Sequence, residues 1–378
     1  MKNDDRIYLD NNSTTPLDRE VFQAMLFDLS SVPRNPSSIH SFGREARNEL
    51  TRARRSVSEV LKVSPEELTF SSGATESNNF LLKGFLRNIF PRKVITSKLE
   101  HSSIFKIIEN YQKDGGEVHF LSVDKNGIPS MCEIEDEIKN AGLIVLMAVN
   151  NETGVKTDYK AIAKLAYKHK VPYLVDGVAL LGKEPFEIVE GISGMTFSGH
   201  KLHAPKGIGL TYLSNEYELN SLIEGGAQEG GHRAGTHNFA GILGLSKAIE
   251  LLPKLLPEKT NYMQSLKDHF ENSILDQLSD VQINGGDDRI CNTSSIAFLG
   301  VDGESLLMNL DLAKVAASHG SACSSGSIAP SRILMEMGYP KNIVESSIRF
   351  SISRMTQKEE IDRAISIIVD LVKKMKSS

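Results

Sequence analysis

Only three cysteines occur in 378 residues, Cys132, Cys291 and Cys323, and they are widely spaced. That excludes a disulfide framework and offers no zinc-ligand spacing, so reduced thiols and no metal site are expected. Basic residues are not in excess. Lys and Arg number 43 against 48 Asp and Glu, a formal net charge of −5, whereas a nucleic-acid binder would carry a basic footprint. No apolar run approaches the roughly 18–20 residues of a membrane span, and Met1-Lys2-Asn3-Asp4-Asp5-Arg6 lacks the apolar segment of a signal peptide. No internal repeat, low-complexity tract or charged tail is present. What remains is an ordinary globular composition, 40% hydrophobic and 24% charged, long enough for two domains. A cytoplasmic, enzyme-sized protein is expected.

Between about residues 43 and 250 the chain alternates helical and strand patterns. Helices are expected at Gly43–Lys62, Thr75–Ile89, Ser102–Lys113 and Tyr159–His169, and strands at Lys93–Ser97, Glu117–Ser122, Leu143–Val149, Tyr173–Asp176, Met195–Ser198 and Ile208–Leu213. Short, continuously apolar strands between helices predict an α/β fold, with a mainly parallel sheet covered on both faces. Beyond residue 257 the pattern changes to a helix at Glu258–Leu278, strands at Ser294–Leu299, Lys314–Ser318 and Ser347–Ser353, and a final helix at Gln357–Lys374. The expected division is a large domain over 15–257 and a smaller α/β domain from 1–14 and 258–378. Ligands of such parallel sheets bind outside the carboxyl ends of the strands.

Several segments at those ends can carry chemistry. Ser198-Gly199-His200-Lys201 closes the apolar run Gly194-Met195-Thr196-Phe197. A lysine desolvated there loses its proton readily and becomes the amine that forms a Schiff base. Val171-Pro172-Tyr173-Leu174-Val175-Asp176 ends another strand in an acid. A Schiff-base lysine with an aspartate for a pyridinium nitrogen is what pyridoxal phosphate (PLP) requires. Ser71-Ser72-Gly73-Ala74-Thr75-Glu76-Ser77 enters a helix and reads either as a phosphate seat or as a plain N-cap. His101, in Leu99-Glu100-His101-Ser102, could stack on a cofactor, act as acid–base or merely cap its helix. Asn150-Asn151-Glu152-Thr153-Gly154 is either a polar site contact or a turn.

Three further stretches carry open readings. The glycine-rich run from Gly225 to Thr236 either approaches a ligand or second subunit through Arg233 and Thr236, or is a connector. Cys323 sits in Ser318-His319-Gly320-Ser321-Ala322-Cys323-Ser324-Ser325-Gly326-Ser327, small polar residues unable to bury it, which suits an exposed reactive thiol more than an inert one. Cys132 and Cys291 read as incidental. In Ser347–Ser353 the period-two pattern puts Ile348, Phe350 and Ile352 on one face and Arg349 and Ser351 on the other. Arg349 would capture a carboxylate or lie solvated, with Arg354 as an alternative.

Together these segments, from Tyr8-Leu9-Asp10-Asn11-Asn12 to Ile348-Arg349-Phe350-Ser351, resemble the NifS/IscS-type cysteine desulfurases of the class V aminotransferases, fold-type I PLP enzymes. The resemblance implies that Lys201 holds PLP and transfers the substrate proton. Asp176 would keep the ring nitrogen protonated, and His101 would stack on the ring and assist proton transfer as a catalytic residue. Ala74, Thr75, Ser198 and His200 would hold the phosphate, with Thr236 reaching that of the neighbouring subunit in a homodimer. Asn151 would contact ring or substrate, and Arg349 with Asn35 the carboxylate of L-cysteine. Cys323 would take the sulfur as a persulfide, release L-alanine and pass the sulfur to an acceptor such as an iron–sulfur scaffold or a thiolation system. A selenocysteine lyase or other β-lyase, and a non-catalytic scaffold, are the alternatives.

Two positions depart from the family pattern. Ala179 stands where a glutamine usually meets the phenolic oxygen of PLP, a lost contact worth about 1–2 kcal/mol. Ala227 follows Gly225-Gly226 where a third glycine is common.

Overall fold

The structure, a computed structural model, describes residues 5–30, 33–320 and 330–377. Twelve strands run through them in chain order: β1 (Ile7–Tyr8), β2 (Leu68–Ser71), β3 (Lys93–Ser97), β4 (Val118–Leu121), β5 (Ala141–Met147), β6 (Tyr173–Asp176), β7 (Gly194–Ser198), β8 (Gly209–Leu213), β9 (Val281–Ile283), β10 (Thr293–Phe298), β11 (Val315–Ala316) and β12 (Ser347–Ser351). Seven form the main sheet in the order β2-β8-β7-β6-β5-β3-β4. Neighbours from β4 to β7 are parallel, whereas β8 lies antiparallel to both β7 and β2. All six strands other than β8 therefore point the same way. Leu68–Ser71, legible in sequence only as an apolar approach to a turn, is thus a full member of the sheet.

Both faces of the sheet are covered, and the side-chain alternation shows how. Val94, Leu143, Val145 and Leu174 pack with Phe80, Leu81 and Phe85 from the helix Ala74–Ile89. Their neighbours Ile95, Ile144, Leu146, Tyr173 and Val175 belong to the other core, with Ile162 and Ala166 from the helix Tyr159–His169. With apolar partners on both sides, these strands need no polar face, which explains their unbroken apolar runs.

A second, antiparallel sheet, β12-β10-β9, and the parallel pair β1-β11 complete the described fold. The helix Phe239–Gln277 connects the two regions without a break, although Pro253 and Pro257 lie inside it and the sequence pattern places the start of a helix at Glu258. Both prolines are exposed and stand one turn apart, and Pro253 takes the helical N–H donor from the carbonyl of the buried Ile249. Burial of Leu245, Ile249, Leu252 and Leu256 before them, and of Met263, Leu266 and Phe270 after them, holds the helix together.

One close approach shapes the edge of the main sheet. Gly209 of β8 pairs with Ser71 on one side and Ser198 on the other. A Cβ at Gly209 would stand 2.6 Å from the Gly73 Cα and 2.8 Å from the Ser71 Oγ. Gly209→Ala is therefore expected to destabilise the protein by about 1–3 kcal/mol, the usual range for overpacking. Urea denaturation of the purified variant checks this.

Candidate active site

The carboxyl ends of β2, β5, β6 and β7 open into one cleft of about 580 Å³. Ser72, Gly73, Ala74, Thr75, His101, Asn151, Asp176, Ala179, Ser198, His200, Lys201 and Arg349 all line it. Most of these residues, distant in sequence, meet there because they end or follow main-sheet strands that point toward the same edge, whereas Arg349 comes from β12 of the second sheet.

The turn after β2 delivers the start of the helix Ala74–Ile89 to the cleft. Its N-cap is Gly73, which has no side chain to satisfy the first-turn N–H groups. Those donors, together with the positive end of the helix dipole, are suited to an anion. Ser198 closes the opposite side, its Oγ 3.8 Å from where a Cβ on Gly73 would stand. Burial, followed by the charges of Lys201, Lys206 and Lys183, pushes the His200 imidazole down to about 4, so it faces the cleft uncharged at neutral pH.

Asp176, at the end of β6, is buried. Its Oδ1 accepts the Val178 N–H at 3.0 Å and its Oδ2 accepts the Asn78 side-chain amide at 3.3 Å. Asn78 is fixed in turn by the Thr196 hydroxyl, which donates to its Oδ1 at 2.8 Å. Its amide also donates to the Ser103 Oγ at 2.9 Å, and that hydroxyl lies 2.8 Å from the His101 Nδ1. The Ser103 N–H donates to the same Nδ1 at 3.2 Å. Because a backbone N–H can only donate, Nδ1 is the acceptor, and the neutral ring carries its proton on Nε2. His101 is thus both the N-cap of the helix Ser102–Lys113 and a residue lining the cleft.

Lys201 ends the short turn Gly199–Lys201 after β7 and is half-buried. Its Nζ donates to the backbone carbonyls of Asn12 and Ser13, the latter at 2.9 Å. Asn12 also reaches across the cleft floor, its amide donating to the Asn151 carbonyl at 3.1 Å and the Thr293 hydroxyl at 2.8 Å. Arg349 is buried on β12. One guanidinium nitrogen donates to the Asn151 carbonyl at 3.1 Å and another pairs with Asp10 at 2.8 Å, while Nε has no partner among the described residues. Asp10 thus already supplies Arg349 with a carboxylate, a pairing that period-two alternation could not reveal.

Some expected site residues lie elsewhere. Asn35 is exposed and outside the cleft, its Oδ1 accepting the Ser37 N–H at 2.9 Å. The neighbouring Arg34 pairs with Asp28 at 2.7 Å and Glu49 at 2.9 Å. Thr236 is likewise exposed and outside the cleft of its own chain. Arg233 pairs with Glu76 at 3.0 Å. Arg354, the alternative to Arg349, is held by Asp18 at 2.6 Å and does not line the cleft. The glycine-rich run is anchored by the buried Glu229 carboxylate, which accepts from Arg54, the Phe70 N–H and His237 at 2.7, 2.7 and 3.0 Å. Cys323 lies outside the described residues. Cys132 is exposed and Cys291 buried.

The residues missed in the sequence are Asn78, Ser103, Thr196, Asn12 and Lys183. Ser77-Asn78 and Ser102-Ser103 follow the recognised turns directly, so polar residues in the first turns of those helices were the available signal. Nothing in the sequence pairs Asn12 or Lys183 with Lys201.

The donor set fits PLP. An amine, a buried carboxylate and an uncapped helix start line one cleft, with a histidine beside them, as a carbonyl, a pyridine nitrogen, a phosphate and an aromatic ring require. Among the described residues no cluster of three His, Cys, Asp or Glu could hold a metal ion, and no helix is long and apolar enough to cross a membrane.

Comparison with known proteins agrees over nearly the whole chain. The family model described as aminotransferase class-V matches residues 7–364. A cysteine desulfurase IscS of Dictyoglomus turgidum is 36% identical over 98% of this chain and 95% of its own length. Cysteine desulfurase 2 of Trichormus variabilis is 38% identical over 98% and 94%. A solved NifS-like protein superposes with a TM-score of 0.91 at 30% identity, covering 98% of this chain and all of its own.

Next to the cleft residue His101 in sequence is a fully buried acid, Glu100. Glu100 accepts from the Ser97 hydroxyl at 2.8 Å with Oε1, while Oε2 has no partner among the described residues. Burial, against the Ser97 hydrogen bond but with help from the Asp176 charge, pushes its carboxyl up to about 8. The native protein then holds a proton that the unfolded chain has released, so ionisation of Glu100 lowers stability as pH rises from about 4.5 to about 8. Glu100→Gln is expected to flatten that fall. Melting temperatures of both proteins across the interval check it, and parallel pH profiles would contradict it.

Proposed function

Because this chain belongs to the aminotransferase class-V family and has cysteine desulfurases as full-length relatives, we propose that it takes sulfur from L-cysteine. PLP would be its cofactor, L-alanine a product, and Cys323 the residue that carries the sulfur as a persulfide. The observation that carries the reading is the meeting of Lys201, Asp176 and the uncapped start of the helix Ala74–Ile89 in one cleft. Bound there, PLP would supply an electron sink for the substrate carbons.

The residues divide the work by their chemistry. Lys201 would hold the cofactor covalently, and its Nζ would carry the proton to and from the substrate α-carbon. Asp176, oriented by Asn78 and Val178, would keep the pyridine nitrogen protonated. The first-turn N–H groups at Ala74 and Thr75, with Ser198 and the neutral His200, would hold the phosphate, joined by Thr236 of a second copy in a homodimer. His101 would lie against the ring in the tautomer set by Ser103, and Asn151 would contact ring or substrate. Arg349, whose Nε has no partner among the described residues, would receive the substrate carboxylate.

Cys323 completes the reaction. Its thiolate would attack the substrate sulfur, forming an S–S bond as the Cβ–S bond breaks. The electron pair stays with the carbon fragment, which takes up protons and leaves as alanine. Attack of an acceptor protein's thiolate would then transfer the outer sulfur and return Cys323 to its thiolate.

Incubation with L-cysteine, with alanine quantified and the Cys323 peptide analysed by mass spectrometry, tests this. One added sulfur atom on Cys323 is expected in the native protein. Cys323→Ala should lose turnover, and Lys201→Ala should lose it by a factor on the order of 10³ or more. Alanine released without sulfur on Cys323 would overturn the mechanism.

A further inference from the structure

Lys183 follows Asp176 in the turn between β6 and β7, and its side chain is 2% exposed. Its ammonium donates to the backbone carbonyl of Lys201 at 2.6 Å. Among the described residues no carboxylate pairs with it. Buried lysines are rare, and those that stay charged normally have a counter-ion. Gly182 makes the contact possible. It adopts φ +81°, and a Cβ there would stand 2.9 Å from the Leu202 Cβ, so the two turns meet at close range.

The groups around this ammonium leave it without a neutralising partner. The Cys291 thiol donates to the Lys183 carbonyl, and burial pushes that thiol up to about 12, so it stays neutral. The neighbouring Glu184 carboxylate is turned away, accepting the Cys291 N–H at 2.9 Å and lying 3.4 Å from Lys156. Arg354 is satisfied by Asp18. His203, pushed down to about 2 by burial together with Arg354 and Lys183, is uncharged. On the cleft side, His200, Lys206, Asp176 and Arg349 line the same cleft as Lys201. Burial, against Cys291 and with Arg354 and Lys201 acting in the same direction, pushes the Lys183 ammonium down to about 8.

We infer that Lys183 is a positioning residue for Lys201: its ammonium fixes the carbonyl of the reacting lysine, and its charge favours the neutral amine on that lysine. A cation beside a lysine disfavours a second ammonium, and the coupling is reciprocal. A neighbouring cation is one of the general ways in which a protein frees a lysine amine for attack on a carbonyl. The inference rests on Lys201 being that amine.

The test labels Lys201 in the full chain, stripped of PLP, with acetic anhydride between about pH 6 and pH 10. Peptide mapping follows the labelling rate at Lys201. Lys183→Met removes donor and charge, Lys183→Gln keeps a donor, and Lys183→Arg keeps both. The midpoint for Lys201 is expected to rise by about one pH unit in the Met and Gln variants, a tenfold loss of amine below it, and to stay in place in the Arg variant. An unmoved midpoint in Lys183→Gln, or an equal rise in Lys183→Arg, overturns the inference. Labelling needs neither cofactor nor L-cysteine, so failure of the desulfurase reading would show separately, as absent alanine release with the midpoint shift intact.

Discussion

The register that sets Gly209 opposite both Ser71 and Ser198 ties the site to the sheet. One reversed strand lies between two that run the other way, and only a residue without a Cβ lets the Gly73 turn close over its end. From that contact follow the direction of the helix Ala74–Ile89, the opening of its first turn toward Ser198, and the path of the chain into Lys201. The parallel strands add Asp176 and Asn151 from the same edge. Thr75, Asn151, Asp176 and Lys201 are separated by long stretches of sequence, but each lies at or shortly after a strand end.

Side chains are then oriented by polar contacts that run between elements. Asn78 links Asp176, Thr196 and Ser103, so the acid, the strand before Lys201 and the His101 cap share one buried residue. Asn12 plays the corresponding part on the other side. Its carbonyl accepts from Lys201, and its amide reaches Asn151 and the second sheet at Thr293. Buried amides of this kind are costly unless satisfied, and their satisfaction here depends on the correct arrangement of both sheets. The site is therefore specified by the whole fold, including its N-terminal segment.

How much of this was legible in the sequence depended on the range of the signal. Lys201, Asp176 and Thr75 follow apolar strands directly, and strand ends in a parallel sheet converge, so their meeting could be expected. The boundaries of Lys93–Ser97, Ser102–Lys113, Tyr159–His169 and Tyr173–Asp176 were likewise carried by local pattern. The helix through Pro253 and Pro257 was not, because a proline reads locally as a helix boundary, whereas burial of residues on both sides of the pair carries the helix through. Asp10 as the partner of Arg349, and Lys183 as the partner of the Lys201 carbonyl, are long-range contacts with no local signature. Asn35 came from the resemblance alone, and it does not line the cleft of its own chain.

The central claim is that one amine, on Lys201, is where the cleft makes its covalent bond to a carbonyl. Borohydride reduction of the PLP-loaded full chain, followed by peptide mapping, tests it most directly. The account predicts a single stable pyridoxyl group, on Lys201. A label on Lys183, Lys206 or any other lysine, with Lys201 unmodified, would contradict it.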